Sequence, residues 1–128
     1  MPIAAETPIL VVDDYKTTIR IIHGMLKQLG YVNLDEASDG QQALSKLQSA
    51  DYGLVISDWN MEPMTGLELL QRLRQSPKYQ NLPFIMITAE GNTENVVKAK
   101  QAGASNYMVK PFSQATLGQK IEALLAAA

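Results

Sequence analysis

The chain has 128 residues, which is the length of one domain and enough to bury a sizeable hydrophobic core. The net charge of −2 comes with scattered lysines and arginines, which excludes a basic stripe for nucleic-acid binding, and the lack of cysteine excludes disulfides, thiolate metal sites and a cysteine nucleophile. The hydrophobic fraction of 46% and charged fraction of 19% are ordinary for a soluble globular protein, and no apolar run approaches the ~20 residues of a membrane span.

The first segment in chain order, residues 1–7, is predicted to be a flexible N-terminal lead. It has no basic region followed by a long apolar core, so it does not resemble a signal peptide. We therefore expect a cytoplasmic protein with no membrane insertion. Residues 8–128 contain no internal repeat, linker or change of composition, and they are predicted to form a single domain.

Short apolar runs along the chain alternate with segments of helical periodicity. Runs such as "ILVV" and "LVIS" show little polar alternation, which is typical of strands covered on both faces, as in a parallel sheet. Strict alternation of strands and helices favours right-handed crossovers and a doubly wound, three-layer α/β fold with five strands and five helices. The predicted strands are Ile9–Val12, Val32–Ala37, Leu54–Ser57, Phe84–Thr88 and Tyr107–Val109.

The segments between the strands carry helix start and stop signals. Gly30 and Gly103 are expected to end the first and fourth helices, and Ser113 is expected to cap the fifth. Thr65 and Glu68 have the spacing of a capping box before the third helix. The apolar positions of the five helices are Ile19, Ile22, Leu26 and Leu29; Ala43, Leu44 and Leu47; Leu67, Leu70 and Leu73; Val96 and Ala99; and Leu117, Ile121, Leu124 and Leu125.

Polar side chains stand at the end of every predicted strand but the second. Asp13 and Asp14 follow the first strand, and Asp58 follows the third. Thr88 ends the fourth strand and Lys110 follows the fifth. In an open parallel sheet, ligands bind beyond the carboxyl ends of the strands, so these side chains are predicted to converge on one binding site.

Three carboxylates gathered at one edge repel one another. Two like charges ~4 Å apart cost about 4 kcal/mol at an effective dielectric of ~20, so a cation has to offset the repulsion. Oxygen ligands without histidine or cysteine select Mg²⁺, or alternatively Mn²⁺ or Ca²⁺. We predict Asp14 and Asp58 as direct ligands, Asp13 as a ligand through water, and the Asn60 carbonyl as a third protein oxygen.

A carboxylate that shares a metal ion and lies near a lysine and a hydroxyl can attack phosphorus as a nucleophile. Asp58 is the best candidate because it lies between the acidic pair and the other two polar strand ends. Lys110, and the Thr88 hydroxyl with the Ala89 backbone N–H, would neutralise two of the equatorial phosphoryl oxygens, and the metal would neutralise the third. We therefore predict Asp58, Lys110 and Thr88 as catalytic residues.

Other interpretations of these residues remain open at this point. Asp13 or Asp14 could simply cap the helix that begins in "YKTTIR". A flavodoxin-like electron carrier would need hydroxyls and glycines in the loop after the first strand, where this chain has two carboxylates. A hydrolase that forms an aspartyl phosphate would need a second aspartate where Asn60 stands.

The segments "VVDD", "ISDWNM", "MITAE" and "QAGASNYMVKPF", with the spacing between them, resemble the response-regulator receiver domain family. The resemblance extends from Ile9 to Leu125 and is strongest to the chemotaxis members. It implies a flavodoxin-like strand order of 2-1-3-4-5. It also implies Mg²⁺-dependent phosphorylation of Asp58 by a CheA-like histidine kinase, and a cis peptide bond before Pro111.

The same resemblance implies a conformational switch with Thr88 and Tyr107 as its moving parts. The Thr88 hydroxyl would turn toward the phosphoryl group, and Tyr107 would move from an exposed to a buried rotamer. The face formed by the fourth helix, fifth strand and fifth helix would then bind a target such as the flagellar motor switch. The residues expected on this output face are Val96, Lys100, Tyr107 and Lys120.

The resemblance further implies that Asn60 and Glu90 tune the dephosphorylation rate, with a phosphatase as a possible partner. The chain departs from the family after "WNM", where Glu62 stands in place of the usual proline and Pro63 follows. Thr65 also stands where an acidic residue is common. These changes bear on the metal affinity and on the lifetime of the phosphoryl group.

The leading hypothesis is a monomeric, single-domain phosphorylation switch that acts through protein–protein contact. Such a protein assists its own phosphorylation and dephosphorylation and is not a separate metabolic enzyme. The alternative is a phosphorelay intermediate that passes its phosphoryl group to a histidine phosphotransfer protein.

Overall fold

In the computed structural model, which describes residues 6–62, 64–89 and 93–127, the strands form one parallel sheet. The strand order is β2-β1-β3-β4-β5, so the predicted fold class and the order taken from the family resemblance are confirmed. The strands are β1 (Ile9–Val12), β2 (Leu34–Ala37), β3 (Leu54–Asp58), β4 (Phe84–Thr88) and β5 (Asn106–Val109).

Helices connect consecutive strands and pack on both faces of the sheet. A short 3₁₀ helix, Pro77–Tyr79, precedes β4. The part of the predicted N-terminal lead at residues 1–5 lies outside the described residues. The helices are α1 (Lys16–Gln28), α2 (Gly40–Ser49), α3 (Gly66–Gln75), α4 (Thr93–Ala102) and α5 (Gln114–Ala127).

Alternate residues of the central strands serve two hydrophobic cores. On β1, Ile9 and Val11 belong to the core under α1 and α5, whereas Leu10 and Val12 belong to the core under α2 and α3. All residues of β1, β3 and β4 are buried, as the continuous apolar runs predicted. The strand ends that carry polar side chains are therefore held by a rigid, doubly covered sheet.

The helix termini follow the signals in the sequence. Gly30 and Gly103 adopt positive φ angles of 103° and 100° just after α1 and α4, a conformation that glycine adopts without strain. The capping box of Thr65 and Glu68 is present at α3. The Thr116 amide donates to Ser113 Oγ at 3.1 Å before α5, and the Lys110–Pro111 bond is cis.

Three predicted strand boundaries were wrong in detail, because the second strand is shorter, the third extends to Asp58 and the fifth begins at Asn106. The predicted buried face of the third helix was also partly wrong. The second strand begins at Leu34, and Val32 is 71% exposed because it lies in the loop before this edge strand. The buried face of α3 is formed by Leu69, Leu70 and Leu73, while Leu67 is only partly buried. The side chain of Leu125 lies outside the described residues. No helix in the part of the chain that the structure describes is long and apolar enough to cross a membrane.

Candidate functional site

The register of the sheet aligns the carboxyl ends of the four strands that carry polar residues. Val12 of β1 pairs with Ser57 of β3, and Asp58 pairs with Ile87 of β4. Thr88 in turn pairs with Val109 of β5. The polar residues at or just after these paired positions consequently lie at one edge of the sheet, as the strand pattern predicted.

The two aspartates after β1 have different surroundings. Asp13 is 1% exposed, and its Oδ1 accepts a hydrogen bond from the Tyr15 amide at 2.9 Å. Asp14 is exposed. Helix α1 begins at Lys16 with Tyr15 as its N-cap residue and no side-chain cap. Neither aspartate caps the helix, so the capping interpretation is wrong and both carboxylates are available to a ligand.

Asp58 is the last residue of β3 and is 4% exposed. The ammonium nitrogen of Lys110 lies 3.2 Å from Asp58 Oδ1 and 3.7 Å from Asp13 Oδ2. Two backbone bonds fix the strand ends, because the Trp59 amide donates to Ile87 O at 2.8 Å and the Lys110 amide donates to Thr88 O at 2.8 Å. The structure thus brings Asp13, Asp58 and Lys110 into direct contact.

Burial dominates the electrostatics of the two inner carboxylates. It raises the pKa of Asp13 to about 6, against the lowering effects of the Tyr15 amide and the Lys110 charge. Burial also raises the pKa of Asp58, while Lys110 acts to lower it. Both carboxylates are less stable in their ionised form than they would be in water, although a lysine is beside them. The site therefore has a deficit of positive charge.

The acidic pocket formed by Asp13, Asp14 and Asp58 fits a divalent cation. One carboxylate oxygen from each of the three residues lies within 4.8 Å of the others. Asp13 Oδ2 is buried and has no hydrogen-bond partner among the described residues, and the Lys110 ammonium 3.7 Å away is shared with Asp58, so a second cation at this oxygen would offset the cost of burying it. An all-oxygen ligand set matches the preference of Mg²⁺.

An entrance cleft of about 510 Å³ opens beside this pocket. Asn60 is exposed at the cleft, so the structure brings it near Asp14, while its carbonyl as a metal ligand stays a prediction. The residues that line the entrance cleft are Asp14, Tyr15, Asn60, Met61, Glu62 and Thr65.

Thr88 and Ala89 stand at the end of β4, on the other side of Asp58 from β1. Thr88 is 4% exposed and Ala89 is exposed. Their position at the common edge agrees with the prediction, whereas their contacts with a phosphoryl group stay predictions. Glu90 lies outside the described residues.

The sequence pattern did not indicate a role for Gly66, the first residue of α3. A Cβ atom at this position would clash with the backbone carbonyl of Asp58 and would lie 3.0 Å from Met86 Sδ. The Gly66 amide donates to Trp59 O at 2.9 Å, which ties the start of the helix to the end of β3. The only signal in the sequence was a glycine placed directly after the capping threonine.

The predicted output face is formed by residues of α4, β5 and α5. The Lys120 ammonium stands 5.6 Å from the centroid of the Tyr107 ring, which is half-buried. Both residues line a cleft of about 490 Å³ with Phe112. On α4, Val96 is half-buried and Lys100 is exposed. The structure brings Tyr107 and Lys120 together and leaves the roles of all four face residues as predictions.

The fold and the acidic pocket together are those of a signalling receiver domain. The model of the response regulator receiver domain family matches residues 9–122, and the chain belongs to this family. Receiver domains are signalling proteins and not metabolic enzymes, and they generally bind Mg²⁺ at an acidic pocket.

Among individual proteins, the chain is similar to the chemotaxis protein CheY-3 of Vibrio cholerae. The two are 45% identical over 114 residues, which is 89% of this chain and 88% of CheY-3. The crystal structure of the V. cholerae chemotaxis protein CheY4 matches with a TM-score of 0.86 at 34% identity, covering 92% of this chain and 98% of that one.

A third relative is the receiver domain of the sensor histidine kinase PA1611 from Pseudomonas aeruginosa, described with a magnesium ion coordinated in its active-site cleft. It matches with a TM-score of 0.84 at 26% identity and covers 94% of this chain and 98% of that chain. The chain is thus a CheY-like receiver domain with chemotaxis proteins among its homologues.

Proposed function

We propose that this chain is a single-domain response regulator of a chemotaxis two-component system, which a histidine kinase phosphorylates on Asp58. The observation that carries the proposal is the buried Asp58 carboxylate 3.2 Å from Lys110, within an acidic pocket that needs a cation. The 45% identity with CheY-3 over most of both chains supports the chemotaxis assignment.

In the proposed reaction, an Asp58 oxygen attacks the phosphorus of a phosphohistidine. The new P–O bond forms as the P–N bond breaks, and the imidazole leaves with its bonding electron pair and takes up a proton. Lys110 holds one phosphoryl oxygen, and the Thr88 hydroxyl and Ala89 N–H hold another. Mg²⁺ bound by Asp13, Asp14, Asp58 and the Asn60 carbonyl would supply the remaining charge neutralisation.

The proposed output follows from the phosphoryl group pulling on Thr88. Movement of this hydroxyl makes room for Tyr107 to turn inward from its position beside Lys120. The changed output face then binds a target, for which the flagellar motor switch is the expected partner in the chemotaxis assignment. Asn60 and Glu90 set the rate of dephosphorylation, alone or with a phosphatase.

A phosphorelay intermediate is the second candidate. Its support is the similarity to the receiver domain of the sensor histidine kinase PA1611, at 26% identity. Transfer of phosphoryl groups from the phosphorylated protein to a histidine phosphotransfer protein tests it. Rapid transfer would favour the relay, and retention of the label would favour the stand-alone switch.

Beryllofluoride, which mimics a phosphoryl group, tests the proposed site through Trp59. This residue is the only tryptophan of the chain, is half-buried, and directly follows Asp58. Addition of beryllofluoride with Mg²⁺ should change its fluorescence in the wild type and in the control Asp51→Asn, whose carboxylate is exposed and outside the pocket. The change should disappear in Asp58→Asn. An equal response in Asp58→Asn would contradict the assignment.

A further inference from the structure

Glu62 lines the entrance cleft and takes no part in the proposed phosphoryl transfer. Among the lining residues of this cleft, Asp14 and Glu62 are carboxylates and none is basic. Glu62 is exposed and forms no ion pair with any described residue. Its negative charge is therefore directed at the same space as that of Asp14 without a protein cation to balance it.

The backbone holds Glu62 close to the acidic pocket. One residue separates it from Asn60, so their Cα atoms are at most about 7 Å apart. Between them, Met61 is 3% exposed, and its amide donates to Trp59 O at 3.1 Å in a tight turn. This turn fixes the backbone before Glu62, and Glu62 lines the cleft together with Asp14.

Independent observations at the pocket point to a cation as the occupant. Asp13 Oδ2 is buried without a hydrogen-bond partner among the described residues, and Lys110 pairs with Asp13 and Asp58 while Asp14 has no ion pair in the same part of the chain. Mg²⁺ keeps several water molecules when proteins bind it, and these waters donate hydrogen bonds to nearby acceptors. Carboxylates around a metal site that accept such bonds raise its affinity.

We propose that Glu62 is a positioning residue for the metal, accepting a hydrogen bond from a water molecule on the Mg²⁺ that the acidic pocket holds. It raises the affinity of this chain for Mg²⁺ through its charge and does not bind the ion directly. This inference rests on the proposed function, because it needs Mg²⁺ in the acidic pocket. The replacement of the usual proline by Glu62 would then be a determinant of the Mg²⁺ affinity of this chain.

Mg²⁺ titration of the full chain, followed by Trp59 fluorescence and by calorimetry, tests the proposal. Glu62→Gln should weaken Mg²⁺ binding by about 3- to 10-fold, which is less than for a buried partner because the carboxylate is exposed. Glu62→Asp should restore part of the loss. The matched control is Glu122→Gln on α5, which removes the same charge at a distant place. Glu122 acts on Tyr31, which precedes the amino end of β2, whereas the acidic pocket lies at the carboxyl ends of the strands. This control should change the affinity by less than about 1.5-fold.

The salt dependence separates the charge effect from a change in loop structure. The difference between the wild type and Glu62→Gln should shrink as ionic strength rises from ~0.1 M to ~1 M, because the Debye length falls from ~10 Å to ~3 Å. Equal Mg²⁺ affinity of the two proteins, or a difference that salt leaves unchanged, would overturn the inference while leaving the proposed function intact. A wild-type chain that gives neither a fluorescence change nor heat with Mg²⁺ would overturn both.

Discussion

Two aspartate–lysine pairs in this molecule have similar distances and opposite chemistry. Asp58 and Lys110 lie 3.2 Å apart at the acidic pocket, and Asp35 of β2 and Lys46 of α2 lie 2.9 Å apart at the edge of the sheet. Asp58 is buried, whereas the Asp35 side chain is 43% exposed.

The surroundings of Asp35 satisfy its charge. Besides Lys46, its carboxylate accepts hydrogen bonds from the Tyr52 hydroxyl at 2.6 Å and from the Glu36 amide at 2.8 Å. Burial acts to raise the pKa of Asp35, but the hydrogen bonds from Tyr52, Lys46 and Glu36 outweigh it and lower the pKa below its ordinary value. We refer to Asp35, Lys46 and Tyr52 as the edge cluster.

Asp58 shows the opposite balance. Burial raises its pKa and the one lysine beside it does not compensate, since that lysine also faces Asp13. The aspartate–lysine ion pair is therefore complete at the edge cluster and incomplete at the acidic pocket. An incomplete buried pair indicates a ligand, whereas a complete one indicates a structural role.

The close approach of Gly66 to the Asp58 carbonyl should give the largest effect when it is disturbed. Gly66→Ala should lower the free energy of unfolding by about 2–4 kcal/mol, because the new methyl group meets the Asp58 carbonyl and the backbone has to shift. Urea denaturation measures the effect. Gly24→Ala in α1 is the control, since a Cβ there meets nothing within 4 Å, and it should be neutral or stabilising. Equal effects of the two substitutions would mean that the contact is not tight.

Replacing each of the two lysines should change the free energy of unfolding by different amounts at the two pairs. Without Mg²⁺, Lys110→Met should lower the free energy of unfolding by about 2 kcal/mol, since buried Asp13 and Asp58 lose their cation. Lys46→Met should cost less than about 1 kcal/mol because its pair is partly exposed. Denaturation in a chelating buffer measures both, and a larger loss for Lys46→Met would reverse the comparison.

Neutralising the aspartates should give effects of opposite sign. Without Mg²⁺, Asp58→Asn should raise the free energy of unfolding by about 1 kcal/mol, because it removes one of the repelling buried charges. Asp35→Asn should lower it by about 1 kcal/mol, because it weakens satisfied hydrogen bonds. Thermal or urea unfolding of both variants checks the signs. Destabilisation by Asp58→Asn would show that the acidic pocket is already balanced by Lys110.

The edge cluster should also give a small pH signature. The lowered pKa of Asp35 contributes stability that is present above pH ~4 and is lost as the pH falls through the folded-state pKa. Burial, together with the Asp35 carboxylate, raises the pKa of Tyr52 to about 12, so its contribution is present below pH ~10 and is lost as the pH rises toward 12.

Tyr52→Phe should therefore cost about 0.5–1.5 kcal/mol of unfolding free energy near neutral pH and less at both extremes. Unfolding measured across the pH range gives this profile. The control Tyr15→Phe changes an aromatic residue that is 67% exposed and should stay within about 0.5 kcal/mol at every pH. A cost for Tyr52→Phe that does not vary with pH would remove the linkage to Asp35.

The acidic pocket was predictable from the sequence because its residues stand at strand ends. Continuous apolar runs revealed the strands, and a parallel sheet sends the carboxyl ends of its strands to one edge. Asp13, Asp58 and Lys110 could thus be grouped without knowledge of any distance. The strand order came from the resemblance of the motifs to a family, since apolar periodicity alone carries no information on which strands are neighbours.

The edge cluster was not predictable in the same way. Asp35 meets Lys46 and Tyr52 at sequence separations of 11 and 17 residues, and the three contribute to no periodic pattern. The contact of Gly66 with Asp58 was also invisible, because it depends on how closely α3 approaches β3. Val32 was misassigned to a strand because an apolar side chain in an exposed loop looks the same in sequence as one in a sheet.

Site-mapped mass spectrometry after incubation with acetyl phosphate shows whether Asp58 accepts a phosphoryl group. We expect the mass of one added phosphoryl group on Asp58 in the presence of Mg²⁺, and none when Mg²⁺ is chelated or when Asp58 is replaced by asparagine. A phosphoryl group found on another residue, or on Asp58 to the same extent without any divalent ion, would contradict it.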